Sequence, residues 1–209
     1  TLGGEAADDM AHIEAYEQMR LKHQPGHTRA YIKIQDGCNQ FCSYCIIPYA
    51  RGRIRSRQEK DILEEIRGLV SEGCREVVLT GIHISSYGLD RGQSELLQLI
   101  RAIHAIDGVE RIRLGSLEPR IITPQMATAF ASLPKLCPHF HLSLQRGADE
   151  TLQRMNRHYS AAEYAEGVRL LREVYDRPAI TTDVIVGFPG ETAEEFEESH
   201  QFVRNMDFY

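Results

Sequence analysis

The chain has 209 residues and a formal net charge of −6. That length suffices for one large domain with a sizeable core, and the acidic balance excludes a protein that grips nucleic acid over its whole surface. No stretch approaches the ~18 apolar residues of a membrane span, and no basic segment leads into an apolar one near the start, so neither a membrane protein nor an exported one is expected. A cytoplasmic home follows as the default, where thiols stay reduced. The 5 cysteines, an odd number with three of them crowded, then read as metal ligands rather than as a disulfide framework. Thr1 in place of an initiator Met, and an end at Met206-Asp207-Phe208-Tyr209 with no break in the apolar pattern, read as part of a longer protein.

Residues 1–27 are polar and close on Gln24-Pro25-Gly26-His27. A helix over residues 6–23 would have only the thin apolar stripe of Ile13, Tyr16 and Met19, so this segment reads as a linker arm from a preceding domain, and residues 28–209 as the core domain. A strand is expected over residues 31–35. Residues 57–72 form a helix with Ile62, Leu63, Ile66, Leu69 and Val70 at helical spacing and Gly73 as its stop. The β-branched run at 76–80 is a strand, 94–106 a helix, 111–116 a strand, and 124–132 a short helix with Pro in its first turn. Residues 140–145 follow as a strand, 161–175 as a helix and 179–187 as a strand. The helix at 192–205 opens on Thr192 and Glu195, spaced as a capping box. A sixth strand starts near Asp207.

Alternating strands and helices imply parallel βα units, wound by right-handed crossovers into a curved sheet or partial barrel. Chemistry in such folds gathers beyond the C-terminal ends of the strands. The unusual residues fall there: three cysteines, Thr80-Gly81, Glu118-Pro119, Gln145-Arg146-Gly147 and Gly187-Phe188-Pro189-Gly190.

The cysteines stand in Gly37-Cys38-Asn39-Gln40-Phe41-Cys42-Ser43-Tyr44-Cys45. This spacing lets one short loop aim three thiolates at one centre. An iron–sulfur cluster would use them and keep one iron open for catalysis. Zinc with a histidine as fourth ligand is the other reading, although structural zinc sites usually show paired spacings. Cys74 and Cys137 stand apart and read as incidental thiols.

Cys-x-x-x-Cys-x-Tyr-Cys after a first strand resembles the radical S-adenosylmethionine (SAM) superfamily. Ile46-Ile47-Pro48-Tyr49-Ala50-Arg51-Gly52, Leu142-Ser143-Leu144-Gln145, Leu152-Gln153-Arg154-Met155-Asn156-Arg157 and the run from Thr182 to Thr192 are similar to its methylthiotransferase branch. Gln35-Asp36-Gly37-Cys38, Arg53-Ile54-Arg55-Ser56-Arg57, Leu79-Thr80-Gly81-Ile82-His83 and Gly115-Ser116-Leu117-Glu118 look most like the enzymes that act on threonylcarbamoyladenosine in tRNA.

The resemblance implies an α/β fold, a partial TIM-type (βα)6 barrel of the radical SAM kind with its last strand truncated. It implies a 4Fe–4S cluster on Cys38, Cys42 and Cys45, with the open iron taking S-adenosylmethionine. The bound cofactor would supply a 5′-deoxyadenosyl radical for insertion of a methylthio group into an adenine beside the anticodon. Tyr44, Thr80, Gly81, Gln145, Arg157, Val186 and Gly187 match positions that bind the cofactor. Where the family usually has Ser after the strand-end Gln, this chain has Arg146, a long cation at the active mouth that could contact RNA phosphate or the cofactor carboxylate, or could crowd either. A second 4Fe–4S cluster is expected on a separate N-terminal domain. The implied partners are tRNA and a reductant such as flavodoxin or ferredoxin, with no membrane. Isopentenyladenosine tRNA or a ribosomal protein are alternative substrates, and a non-enzymatic iron–sulfur or zinc module is a further alternative.

Arg51, Arg53, Arg55 and Arg57 alternate. In an extended segment all four would point one way, about 6.8 Å apart, near the pitch of phosphates on a flexible RNA strand. The stripe is therefore a candidate RNA contact, with ion pairs to Glu59, Asp61 or Glu64 as the other reading.

Overall fold

The computed structural model describes Tyr16 and residues 28–208. Apart from Tyr16, the linker arm lies outside the described residues. Strand β1 (Arg29–Asp36) is central. It pairs in parallel with β3 (Glu76–Gly81), which pairs in parallel with β4 (Arg111–Leu114). The two-residue β2 (Arg55–Ser56) adds antiparallel to the end of β1, at Gln35↔Ser56 and Asp36↔Arg55. Strands β5 (His139–His141) and β6 (Ala179–Thr181) pair in parallel as a second sheet. Single bridges Ile112↔Leu136 and Leu117↔Leu142 carry the curl from β4 to β5, so the two sheets form one half-barrel.

Seven helices connect and cover these strands among the described residues: α1 (Ile47–Ala50), α2 (Glu59–Ser71), α3 (Leu96–His104), α4 (Pro124–Ala131), α5 (Asp149–Arg154), α6 (Ala161–Val174) and α7 (Ala193–Asn205). None is long and apolar enough to cross a membrane. Side chains alternate faces along a strand. Ala30, Ile32, Ile34, Val77, Leu79, Ile112, Leu114, Phe140 and Ile180 are buried on one face, among Ile62, Ile66, Leu99, Ile103, Phe130, Tyr164 and Leu171 of the helices. Burying each large aliphatic stabilises the fold by about 1.5–3 kcal/mol. The other face carries Lys33, Thr80, Arg113, His139, His141 and Thr181, all half-buried. The helices thus hold the sheet from outside and leave its inner face polar.

A charge cluster fixes the strand register at the N-terminal end. Glu76 pairs with Arg29 at 2.6 Å, Arg111 at 2.7 Å and Arg113 at 2.8 Å. The ladder sets Arg29 and Arg111 directly opposite Glu76. Burial opposes ionisation of Glu76, but the three guanidiniums hold its carboxyl at about 2.

Several elements differ from the sequence expectation. The strands read over 140–145 and 179–187 have regular pairing over three residues each. Beyond them the Thr182 side chain enters the ladder: its Oγ1 donates to Leu142 O at 2.6 Å and accepts from Leu144 N at 3.0 Å. Gln145 then turns left-handed at φ 65°. The strand expected near Asp207 does not form among the described residues; Asp207 also has positive φ, 48°. Strand β2 and helix α5 were not expected. The capping box is present, with Thr192 Oγ1 accepting from Glu195 N at 3.2 Å and Glu195 Oε2 accepting from Thr192 N at 3.2 Å.

Candidate metal centre and cofactor site

The cysteine loop leaves the C-terminal end of β1 through Gly37. Its φ is +70°, and a Cβ there would stand 1.8 Å from Arg53 O, so only glycine fits. Cys38 N donates to Gly52 O at 3.1 Å, and Cys45 N donates to Cys42 O at 2.9 Å, which turns the third thiol back toward the second. Cys38 and Cys42 are buried and Cys45 half-buried, and all three are free thiols. Burial pushes the Cys38 thiol up; the Gln40 amide opposes this, while negative charge on Cys42 and Cys45 adds to it. A bound metal would displace the thiol protons.

Three groups anchor the loop from outside. Gln35 is fully buried; its Nε2 donates to Asp36 O at 2.7 Å and Gly37 O at 2.6 Å, while its Oε1 accepts from His83 N at 2.8 Å. It ties the cysteine loop to the segment after β3. Asp36 accepts from Lys33 Nζ at 2.6 Å, Gly37 N at 2.8 Å and Arg51 Nη2 at 2.5 Å. Burial would raise its pKa, but these partners hold it at about 2. The segment after α5 grips the loop's middle: Asn156 Nδ2 donates to Phe41 O at 2.9 Å, Ser43 N to Met155 O at 3.1 Å, and Ser43 Oγ to Arg154 O at 2.8 Å. Asn156 takes positive φ, 55°, to do so. The run Leu152–Arg157 is legible in sequence as a motif, but the anchoring roles of Gln35, Asp36 and Asn156 depend on contacts that spacing does not reveal.

Arg157 is brought directly to the cluster loop. Its Nη1 donates to Cys42 Sγ at 3.2 Å, its Nε donates to Tyr159 OH at 3.1 Å, and the guanidinium lies 4.7 Å from the Tyr159 ring centre. Burial works against its charge, but Tyr159 and the Cys42 sulfur outweigh that and raise its pKa. Tyr44, half-exposed, stands edge-on to Phe188 with ring centres 6.4 Å apart, so it joins the cysteine loop to the turn after β6. Its hydroxyl is shifted up by burial first and by Cys42 second.

Thr80 and Gly81 end β3 beside Gln35, and Gly81 stays exposed. A Cβ on Gly81 would come within 2.9 Å of Gln35 O, so the backbone there is bare. Gln145 is held by its main chain, donating N–H to Asp183 O at 3.1 Å and accepting from Ile185 N at 2.8 Å. Val186 is 63% exposed, and Gly187, at φ +73°, has open space where a side chain would be. These positions all lie at or past the C-terminal ends of the strands, on the side of the cysteine loop.

Two expectations are corrected. Arg146 does not reach the mouth of the site. It is 2% exposed, pairs with Glu191, donates from Nη1 to Ile185 O at 3.2 Å and lies 5.2 Å from the Phe196 ring centre. Glu191 Oε2 also accepts from Gly187 N at 2.8 Å, so Arg146 braces the Gly187 turn from behind. The arginine stripe does not form either, because the chain turns over 51–54 and pairs only at 55–56. Arg57 is buried against Glu65 at 2.5 Å, and Arg55 lies buried 3.7 Å from Asp36. Arg51 is bound to Asp36. Arg53 alone of the four is exposed, its guanidinium 4.6 Å from the Phe41 ring centre. Cys74, just before β3, and Cys137, just before β5, sit at the N-terminal ends of the strands, away from the cysteine loop.

The residues present fit a three-thiolate iron–sulfur cluster. Among the described residues, no three His, Cys, Asp or Glu side chains are placed to hold a single metal ion. Ligands of one zinc share a centre about 2.3 Å from each sulfur, whereas cluster thiolates each hold a different iron. The guanidinium at Cys42 suits a thiolate, and among the described residues no His is hydrogen-bonded to the three thiols.

The sequence matches the family profile of the Radical SAM superfamily over residues 32–203. It is 45% identical over 193 residues to the threonylcarbamoyladenosine tRNA methylthiotransferase MtaB of Chlamydia pneumoniae, covering 92% of this chain and 45% of that protein. It is also 45% identical over 202 residues to the tRNA-2-methylthio-N(6)-dimethylallyladenosine synthase of Geobacter metallireducens, covering 96% of this chain and 45% of that protein. The chain thus spans less than half the length of these curated relatives. Among solved structures, the radical S-adenosylmethionine methyltransferase TsrM of Kitasatospora setae superposes with a TM-score of 0.69 at 22% identity, over 85% of this chain and 34% of that one. At that identity the likeness is one of fold.

Proposed function

This chain belongs to the radical SAM superfamily, and from that membership we propose that it is the radical-generating core of a tRNA methylthiotransferase acting on the adenine that carries a threonylcarbamoyl group beside the anticodon. The observation that carries this reading is the three-thiol loop at the C-terminal mouth of the half-barrel, bound to Arg157 and held by the segment after α5. When bound, the cluster and S-adenosylmethionine would supply the radical chemistry.

The chain's own residues do the placing. Cys38, Cys42 and Cys45 hold the cluster. Arg157 keeps positive charge beside Cys42 and is the group to bind the cofactor carboxylate. Thr80 and Gly81 offer bare backbone at the end of β3. Tyr44, Val186 and Gly187 form the apolar edge for the cofactor adenine, and Gln145 stands beside it. Arg53, exposed next to the cysteine loop, is the RNA contact that survives from the stripe, with Arg51 beside it. A second cluster, the sulfur source and much of the RNA grip belong to parts of the protein beyond this chain, and a flavodoxin- or ferredoxin-type carrier is its reductant.

Mass spectrometry of tRNA nucleosides from cells lacking the full-length protein tests this. Loss of the 2-methylthio form of threonylcarbamoyladenosine, restored by the wild-type gene but not by a Cys38→Ala copy, is expected. An unchanged nucleoside profile would sink the proposal.

A further inference from the structure

A second polar group lines the same mouth, on the side of β3 and β4 away from the Gly187 turn. His83 follows β3, Glu118 and Arg120 follow β4, and Arg157 follows α5. Glu118 is anchored by its own backbone, N–H donating to Ser85 Oγ at 2.9 Å, and its carboxylate pairs with Arg120. Arg157 acts electrostatically on both His83 and Arg120, and Glu118 acts on His83. Glu163 is the other carboxylate that faces Arg120. Ser85, two residues past His83, holds the Glu118 backbone, and the Glu118 carboxylate holds Arg120, so the three residues stand together as one polar wall.

One atom of this wall has no partner. His83 Nε2 is buried and makes no hydrogen bond, although the backbone N–H of the same residue is held by Gln35. A buried polar group without a partner is unfavourable, so the site carries a destabilisation that a ligand would relieve. Burial depresses the His83 pKa while Glu118 pulls it up, so the ring meets its ligand as a neutral imidazole with one donor and one acceptor.

We propose that His83, Glu118 and Arg120 form the subsite that receives the substituent on the adenine N6, and that this subsite selects a substituent bearing a carboxylate. The proposal rests on the reading of the chain as a tRNA methylthiotransferase core and sharpens it, because the relatives at equal identity differ in that substituent. A dimethylallyl group is a branched hydrocarbon. It would desolvate a guanidinium, a carboxylate and an imidazole without bonding to any of them. A threonylcarbamoyl group brings a carboxylate for Arg120, and a hydroxyl and urea N–H for Glu118 and His83. Sites built around polar partners reject analogues that lack them by large factors, because the site's own groups are left unpaired. Arg157 lies closer to the cluster sulfur and stays with the cofactor, so the two carboxylates do not compete for one guanidinium.

The test uses the full-length protein with its clusters and S-adenosylmethionine. Binding is measured to three anticodon stem-loops that carry threonylcarbamoyladenosine, its methyl ester or dimethylallyladenosine. The wild type should prefer the free carboxylate over both others. Arg120→Met, a substitution on the surface, should cut the preference over the ester roughly 10- to 100-fold, the scale of one charge-assisted hydrogen bond. His83→Gln should narrow the preference over dimethylallyl. Arg169→Met, on the outer face of α6, removes the same charge elsewhere and should leave both ratios unchanged. Wild-type preference for the carboxylate that survives both Arg120→Met and His83→Gln overturns the subsite alone. Wild-type preference for the dimethylallyl stem-loop, or none among the three, overturns the substrate reading beneath it.

Discussion

Arg146→Ser, which puts in the residue that the family resemblance implies at this place, should destabilise the protein strongly. In the wild type Arg146 and Glu191 bury each other, their side chains 2% and 6% exposed. Removing one partner of such a pair costs about 3–5 kcal/mol, because the remaining charge is left without compensation. Loss of the contact to Phe196 adds about 0.5–1 kcal/mol. Urea unfolding followed by circular dichroism at pH 7 measures it, and the double variant Arg146→Ser/Glu191→Gln should recover most of the loss. A deficit below about 1 kcal/mol would refute the reasoning.

Three further outcomes follow from the site. Cys38→Ala, Cys42→Ala and Cys45→Ala should each abolish iron and sulfide uptake on anaerobic reconstitution, while Cys74→Ser and Cys137→Ser keep it; elemental analysis decides, and zinc in place of iron would contradict the cluster. Gly37→Ala should cost more than about 2 kcal/mol in unfolding experiments, since it forces a side chain to φ +70° and onto Arg53 O. Asp36, held at about 2 against an ordinary 3.8, contributes stability that is fully present above pH 4 and disappears as pH falls through 2. Allowing for solvent screening, Asp36→Asn should remove about 1–2 kcal/mol at pH 7 and much less near pH 2.

The sequence is most legible where a local rule suffices. Helix α2 lies inside the span read from Ile62, Ile66 and Leu69, because a stripe at 3.6-residue spacing has one way to be buried. Helix α7 begins where its capping box requires. Strand β3 ends at Gly81, one residue past the expected run. Local rules fail where a side chain competes with the backbone. The ladder after β5 and β6 stops because Thr182 Oγ1 takes a place in it, and no pattern of apolar residues encodes that.

The same division runs through the site. Three cysteines at spacings of four and three residues, after a strand, determine by themselves that one loop presents three thiols at the open end of a βα fold. The destination of each long charged side chain was decided by the tertiary structure alone. Four arginines alternating in sequence went to different places: Arg57 to a buried Glu65, Arg55 and Arg51 to Asp36, and Arg53 to the surface. Arg146 turned inward to Glu191, while Arg157, some ten residues on, turned to Cys42. The segment that carries His83 met Glu118 from another strand through Ser85. The physical reason is reach. A backbone pattern is fixed within a few residues, but a guanidinium or imidazole is placed by whichever opposite charge the folded chain brings within a few ångströms, and those partners lie up to 115 residues away in sequence.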